Sequence, residues 1–86
     1  MATDEIQQTV KDYVLREFLA GERPDALEDT TPLISGGILD SISTLKLVSF
    51  LEERYSVEFQ AHEVSADHLD SLTDIATIVA TKVAAK

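Results

Sequence analysis

The chain has no cysteine. That excludes a disulfide framework, a thiolate metal site and a cysteine nucleophile, so any thiol chemistry has to come from a group added later. Basic residues are scarce, seven Lys and Arg against sixteen Asp and Glu, and the net charge is −9. Such a chain repels phosphate backbones, which argues against nucleic-acid binding and against a helix-turn-helix DNA binder. A positively charged protein is the expected partner, with electrostatics speeding the encounter. No apolar run is long enough to cross a bilayer, so no membrane insertion is expected. The opening Met1-Ala2-Thr3-Asp4-Glu5 is acidic where a secretion signal would be basic, and the expected location is the cytoplasm.

Signatures of catalysis and metal binding are missing as well. No glycine-rich phosphate loop follows a strand. The acids from Glu22 to Asp29 lack the regular oxygen ligands and central glycine of a calcium loop. His62 and His68 have no matching cluster of ligands and read as surface histidines, so no metal is expected. No Ser-His-Asp set can be assembled, and the scattered carboxylates read as a solvated face. The expectation is a protein with no catalytic residues and no enzymatic activity.

Hydrophobic residues make up 44% of the 86 residues, enough for one packed domain over 1–86 with a modest core. Three stretches carry helical periodicity. In the first, Thr3 reads as the N-cap, Asp4 and Glu5 suit the first turn, and Ile6, Val10, Tyr13, Val14 and Phe18 make one apolar face. Gly21 followed by Pro24 ends it. The second runs from Ser41 to Tyr55, with Asp40 as its N-cap. Its core face carries Thr44, Leu47, Val48, Leu51 and Tyr55. The opposite face carries Ile42, Leu45, Lys46, Ser49, Glu52 and Glu53, with Phe50 between the two. The third is capped by Ser71 with Asp74 three residues on, and its stripe is Leu72, Ile75, Ala76, Val79 and Val83. Before it, Val57-Glu58-Phe59 reads as an extended link with Val57 and Phe59 turned inward, and Ala61 to Val64 as one brief helical turn. The fold class is all-α: a small four-helix bundle of three longer helices and one short one, with a long loop between helices one and two.

That loop, residues 22–39, is irregular because Pro24 and Pro32 break helices while Thr30-Thr31 and Gly36-Gly37 favour turns. Loops of this length are either functional or disordered. Leu27, Leu33, Ile34, Ile38 and Leu39 give it apolar anchors, so it is expected to lie ordered across the bundle. It delivers Asp40-Ser41-Ile42 to the head of the second helix. A serine there is displayed to solvent, where the helix N-terminus favours a negative group, and a phosphodiester fits such a place. No histidine lies nearby in sequence to activate it. Ser41 therefore reads as the acceptor of a phosphate-linked group installed by another enzyme. The aliphatics and acids on the second face of this helix read as a protein-docking face, the alternative being that Ile42 and Leu45 pack beneath the long loop. Asp70-Ser71-Leu72 spells a similar tripeptide, but it opens the last helix and no docking helix follows, so Ser71 reads as a plain N-cap.

The run Gly37-Ile38-Leu39-Asp40-Ser41-Ile42, followed by Leu45, Leu47-Val48, Leu51-Glu52-Glu53 and Tyr55, resembles the acyl carrier protein family, the carriers of acyl and aminoacyl transfer. The resemblance covers almost the whole chain. It implies that a phosphopantetheinyl transferase attaches 4′-phosphopantetheine from coenzyme A to Ser41 through a phosphodiester. The thiol of that arm would hold cargo as a thioester, and the absence of cysteine leaves no internal thiol to compete. The resemblance also makes the second helix the docking site, at Asp40, Ile42, Leu45, Ser49, Glu52 and Glu53. The partners it implies are a cargo-loading ligase or synthetase and downstream acyl or aminoacyl transferases, visited by a monomeric carrier. Carriers of fatty acid synthesis commonly have glycine two residues before the motif aspartate and an acid early in the second helix. This chain has Ile38 and Lys46 there. Its motif looks closer to the D-alanyl and other aminoacyl carriers, and to stand-alone carriers of specialised pathways. The alternative is an acidic helical adaptor that binds non-covalently and has no prosthetic group.

Overall fold

A computed structural model of the protein describes residues 3–19, 21 and 27–85. The first helix, α1, spans Thr3–Phe18 and buries Ile6, Val10 and Val14 completely. Thr3 already belongs to the helix, so it supplies helical backbone where a cap was expected. Asp4 and Glu5 still face the positive end of the helix dipole. Tyr13 and Phe18 lie at the margin of the stripe and are only half-buried. The Tyr13 ring stacks on Phe50 with centroids 4.1 Å apart and takes the edge of Phe18 at 5.7 Å. This contact gives Phe50 its place between the two faces of the second helix. Pro24, read as part of the stop signal after α1, lies outside the described residues.

The second helix, α2, spans Ser41–Tyr55, and its buried residues are Thr44, Leu47, Val48, Leu51 and Tyr55, the expected core face. It ends at Ser56, whose left-handed backbone (φ 55°) turns its N–H back to the Glu52 carbonyl. Val57 is buried and Phe59 half-buried, as an inward-facing link requires. A 3-10 turn at Ala61–Glu63 stands where a brief helical turn was expected. The short α-helix, α3, lies one step further on, at Ala66–Leu69. Four residues barely exceed one turn, so α3 has no periodicity to read. The last helix, α4, spans Leu72–Ala84, buries Leu72, Ile75, Ala76 and Val79, and packs chiefly on α1. Among the described residues the protein is all-helical and has no strand, a small helical bundle. No described helix is long and apolar enough to cross a membrane.

The described part of the connection between α1 and α2 closes the core. Leu27, Leu33 and Leu39 are fully buried, and Ile34 and Ile38 pack on the same cluster. Burying such a side chain contributes about 1.5–3 kcal/mol, which offsets the entropy of ordering an irregular chain. Backbone bonds hold its ends: Thr73 N–H donates to the Asp29 carbonyl (3.2 Å) and Leu33 N–H to the Asp70 carbonyl (2.6 Å). Glu63 and Lys82 form an ion pair at 2.8 Å that ties the 3-10 turn to α4.

Candidate functional site

The approach to Ser41 is a tight turn. Leu39 N–H donates to the Leu33 carbonyl (2.8 Å) and Gly37 N–H to the Ile34 carbonyl (3.1 Å). A Cβ on Gly36 would run into the Pro32 carbonyl, and Gly37 sits at φ +84°. Both positions call for glycine, one by close approach and the other by backbone conformation. The turn puts Asp40 just outside α2 with extended backbone, and its carboxylate accepts the Ser43 N–H at 2.7 Å. The Ser43 backbone bond, above all, holds the Asp40 carboxyl below its usual range. Ser41 is then the first helical residue. It is exposed, and its hydroxyl has no hydrogen-bond partner among the described residues.

Two clefts flank the start of α2. The first, about 500 Å³, has Ser41 at its mouth, apolar walls of Ile34, Leu39, Leu45 and Val64, and the hydroxyls of Thr44 and Ser65. Thr44 donates to the Asp40 carbonyl (2.7 Å). Ser65 Oγ is buried with no partner among the described residues. Leaving such a group unpaired costs about 1–3 kcal/mol, and a ligand that bonds it recovers that loss. The second cleft, about 450 Å³, lies on the far side of Leu45 and is lined by Ile42, Leu45, Lys46, Ser49 and Glu53 with Tyr13 and Phe50. Ile42 is 67% exposed and Leu45 58%. Leu45 thus forms the ridge between the two clefts.

Of the expected docking residues, Ile42, Leu45, Ser49 and Glu53 come together in the second cleft, and Asp40 stands beside Ser41 in the first. Glu52 joins neither: its carboxylate turns to the end of the helix and accepts the Phe59 N–H at 2.9 Å. Tyr13, Phe50 and Ser65 were missed, because their place depends on how separate segments meet. Ser71 is a cap, with its Oγ accepting the Asp74 N–H at 3.0 Å. His62 and His68 meet edge to face at 6.5 Å, and no group of described residues has the ligands for a metal ion.

No family model matches the chain, and no curated protein matches it. It is similar to a chain in a crystal structure of an FAD-dependent dehydrogenase. The match is 28% identical with a TM-score of 0.73 and covers 81% of this chain and 97% of that one. Those shares make the matched chain itself only about 70 residues long. The likeness is therefore between two small domains.

Proposed function

We propose that this protein is a carrier: Ser41 accepts 4′-phosphopantetheine from coenzyme A, and the protein shuttles an acyl or aminoacyl cargo between enzymes. The observation that carries the reading is the exposed, unpartnered Ser41 hydroxyl beside a cleft whose buried Ser65 Oγ is orphaned. The residues present fit the group. Ile34, Leu39, Leu45 and Val64 offer apolar walls to a thin flexible arm, and Ser65 offers a hydrogen bond to its amides or hydroxyls. The arm supplies a thiol that holds cargo as a thioester.

The chain's own residues prepare the acceptor and perform no catalysis. Ser41 Oγ forms the new bond to phosphorus, the bridging bond of the pyrophosphate breaks, and the adenosine bisphosphate portion leaves. The hydroxyl proton must go to a base on the transferase. Asp40 is a poor candidate, since its carboxylate is committed to Ser43 and its pKa is lowered. No histidine lines this cleft. The first-turn amides of α2 then favour the diester's negative charge by about 0.3–1 kcal/mol. Ile42 and Leu45 supply the apolar centre of a docking face that also carries Lys46 and Glu53, with Asp40 beside it, a mixed small surface suited to brief contact with partner enzymes. Those partners are the transferase, a loading ligase or synthetase, and downstream transferases.

The test is the intact mass after incubation with coenzyme A and a promiscuous phosphopantetheinyl transferase. Wild type gains one arm, Ser41→Ala gains none, and Ser71→Ala gains one. A folded wild type that stays bare would end the carrier reading and leave the non-covalent adaptor.

A further inference from the structure

Asp70 opens the tripeptide that resembles the Ser41 motif, and its side chain does no capping there. It closes α3 as that helix's C-cap and reaches across to the turn before α2. Its Oδ1 accepts the N–H groups of Ile34 and Ser35, each at 2.8 Å. Its Oδ2 accepts the Ser35 hydroxyl at 2.7 Å, and its carbonyl accepts the Leu33 N–H at 2.6 Å. Among the described residues, every hydrogen bond between the 33–39 turn and the α3 region converges on Asp70.

Two consequences meet at Ser41. Leu33 and Ile34 also accept from Leu39 and Gly37, so the turn gripped by Asp70 closes directly onto Asp40, the cap of α2. No unanchored stretch separates the Asp70 carboxylate from the Ser41 hydroxyl. The first cleft, moreover, has one wall from this turn, Ile34 and Leu39, and one from the residues leading into α3, Val64 and Ser65. Asp70 bonds the first wall and ends the helix that the second wall begins. Three donors on two side-chain oxygens call for a carboxylate, since an amide has only one acceptor oxygen. The bonds from Ser35, then Ile34, also hold the Asp70 carboxyl below its usual range, so it stays charged at neutral pH.

We propose that Asp70 is the positioning residue for modification of Ser41. It fixes the 33–39 turn that presents the hydroxyl and sets the gap between the two walls of the adjoining cleft. The modification step rests on the carrier reading; the clamp itself does not.

The experiment compares wild type, Asp70→Asn, Asp70→Ala and Ser35→Ala by transferase kinetics with coenzyme A and by amide exchange of the unmodified proteins. With α1 and α4 still folded, Asp70→Ala should lower kcat/KM for modification by about ten- to a hundredfold, the effect of a displaced acceptor. Asp70→Asn keeps Oδ1 for both backbone donors and should lose less, and Ser35→Ala less again. Exchange should quicken at Ile34, Ser35, Leu39 and Ser43 while the amides of Val10, Leu51 and Val79 keep their protection. A merely structural Asp70 would lower the melting temperature and leave kcat/KM per folded molecule unchanged, which overturns the proposal. So would exchange unaltered at Ser35 and Leu39. A wild type that is never modified defeats the carrier reading alone, and the exchange pattern then decides the clamp. Should Asp70→Ala fail to fold, Asp70→Asn and Ser35→Ala decide both readouts.

Discussion

At Asp40-Ser41-Ile42 the aspartate caps its helix and the serine hydroxyl is unbonded, whereas at Asp70-Ser71-Leu72 the serine caps and the aspartate bonds the turn before α2 instead. The capping geometry is alike, since each cap accepts the N–H three residues on. The two helices differ in where the buried stripe begins. In α4 it starts at the first helical residue, Leu72, and continues through Ile75, Ala76 and Val79. In α2 it starts only at Thr44, so the first two residues, Ser41 and Ile42, face solvent. A helix that must bury its first residue starts close against the core, and Ser71 is drawn into the cap. A helix whose first residues are free of the core can display what stands there. A one-residue shift of the cap thus leaves the Ser41 hydroxyl exposed and unbonded and turns the Asp70 carboxylate to the Ile34 and Ser35 donors.

The largest expected effect tests the burial difference itself. Leu72→Ala should cost about 2–5 kcal/mol, because it leaves a cavity in a fully packed site. Ile42→Ala, at a position 67% exposed, should stay within about 0.5 kcal/mol and act on partner binding instead. Urea unfolding of both variants measures this, and similar losses would mean that the first turns of α2 and α4 are buried alike. A smaller effect separates the serines. Ser71→Ala removes a cap and should cost about 1 kcal/mol. Ser41→Ala should be neutral or stabilising by a few tenths, since alanine suits the first helical turn and no hydrogen bond is lost. Equal destabilisation would place Ser41 in a cap and count against the proposed acceptor.

The long helices were readable in the sequence because each runs thirteen residues or more, enough for an apolar stripe to repeat. The leucines at 27, 33 and 39 likewise announced that the described part of the connection packs on the core. Ser41 and its cap were legible because glycines, cap and stripe all lie within a few residues. The turn of the Glu52 carboxylate to Phe59 was not legible, because helical spacing fixes the Cβ direction, while a long carboxylate can swing to a backbone donor seven residues on. The stacking of Tyr13 on Phe50 and the grip of Asp70 on Ser35 leave no local trace. The Asp70–Ser35 pair is separated by 35 residues, and only the packed bundle brings such residues together.

Acid gives the finest comparison of the two motifs. Asp40 and Asp70 both have pKa values lowered chiefly by backbone hydrogen bonds, from Ser43 and from Ser35, and Glu63 is lowered chiefly by its bond to Lys82. A carboxyl that ionises more readily folded than unfolded contributes stability in full above its unfolded value, about 4. That contribution disappears as pH falls through the lower folded value, because the unfolded chain then binds the extra proton. Denaturation midpoints should therefore hold steady from pH 7 to 5 and drop below about pH 4. An asparagine has no such proton to bind. Asp40→Asn and Asp70→Asn should each flatten the acid limb, and the double variant should flatten it more than either alone. Amide exchange in acid divides the two. Loss of Asp70 ionisation should first loosen Ser35 and Leu39, whereas loss of Asp40 ionisation should first fray Ser43 in α2. An acid limb in Asp70→Asn identical to that of wild type would show that the carboxylate holds no charge-assisted grip on the turn.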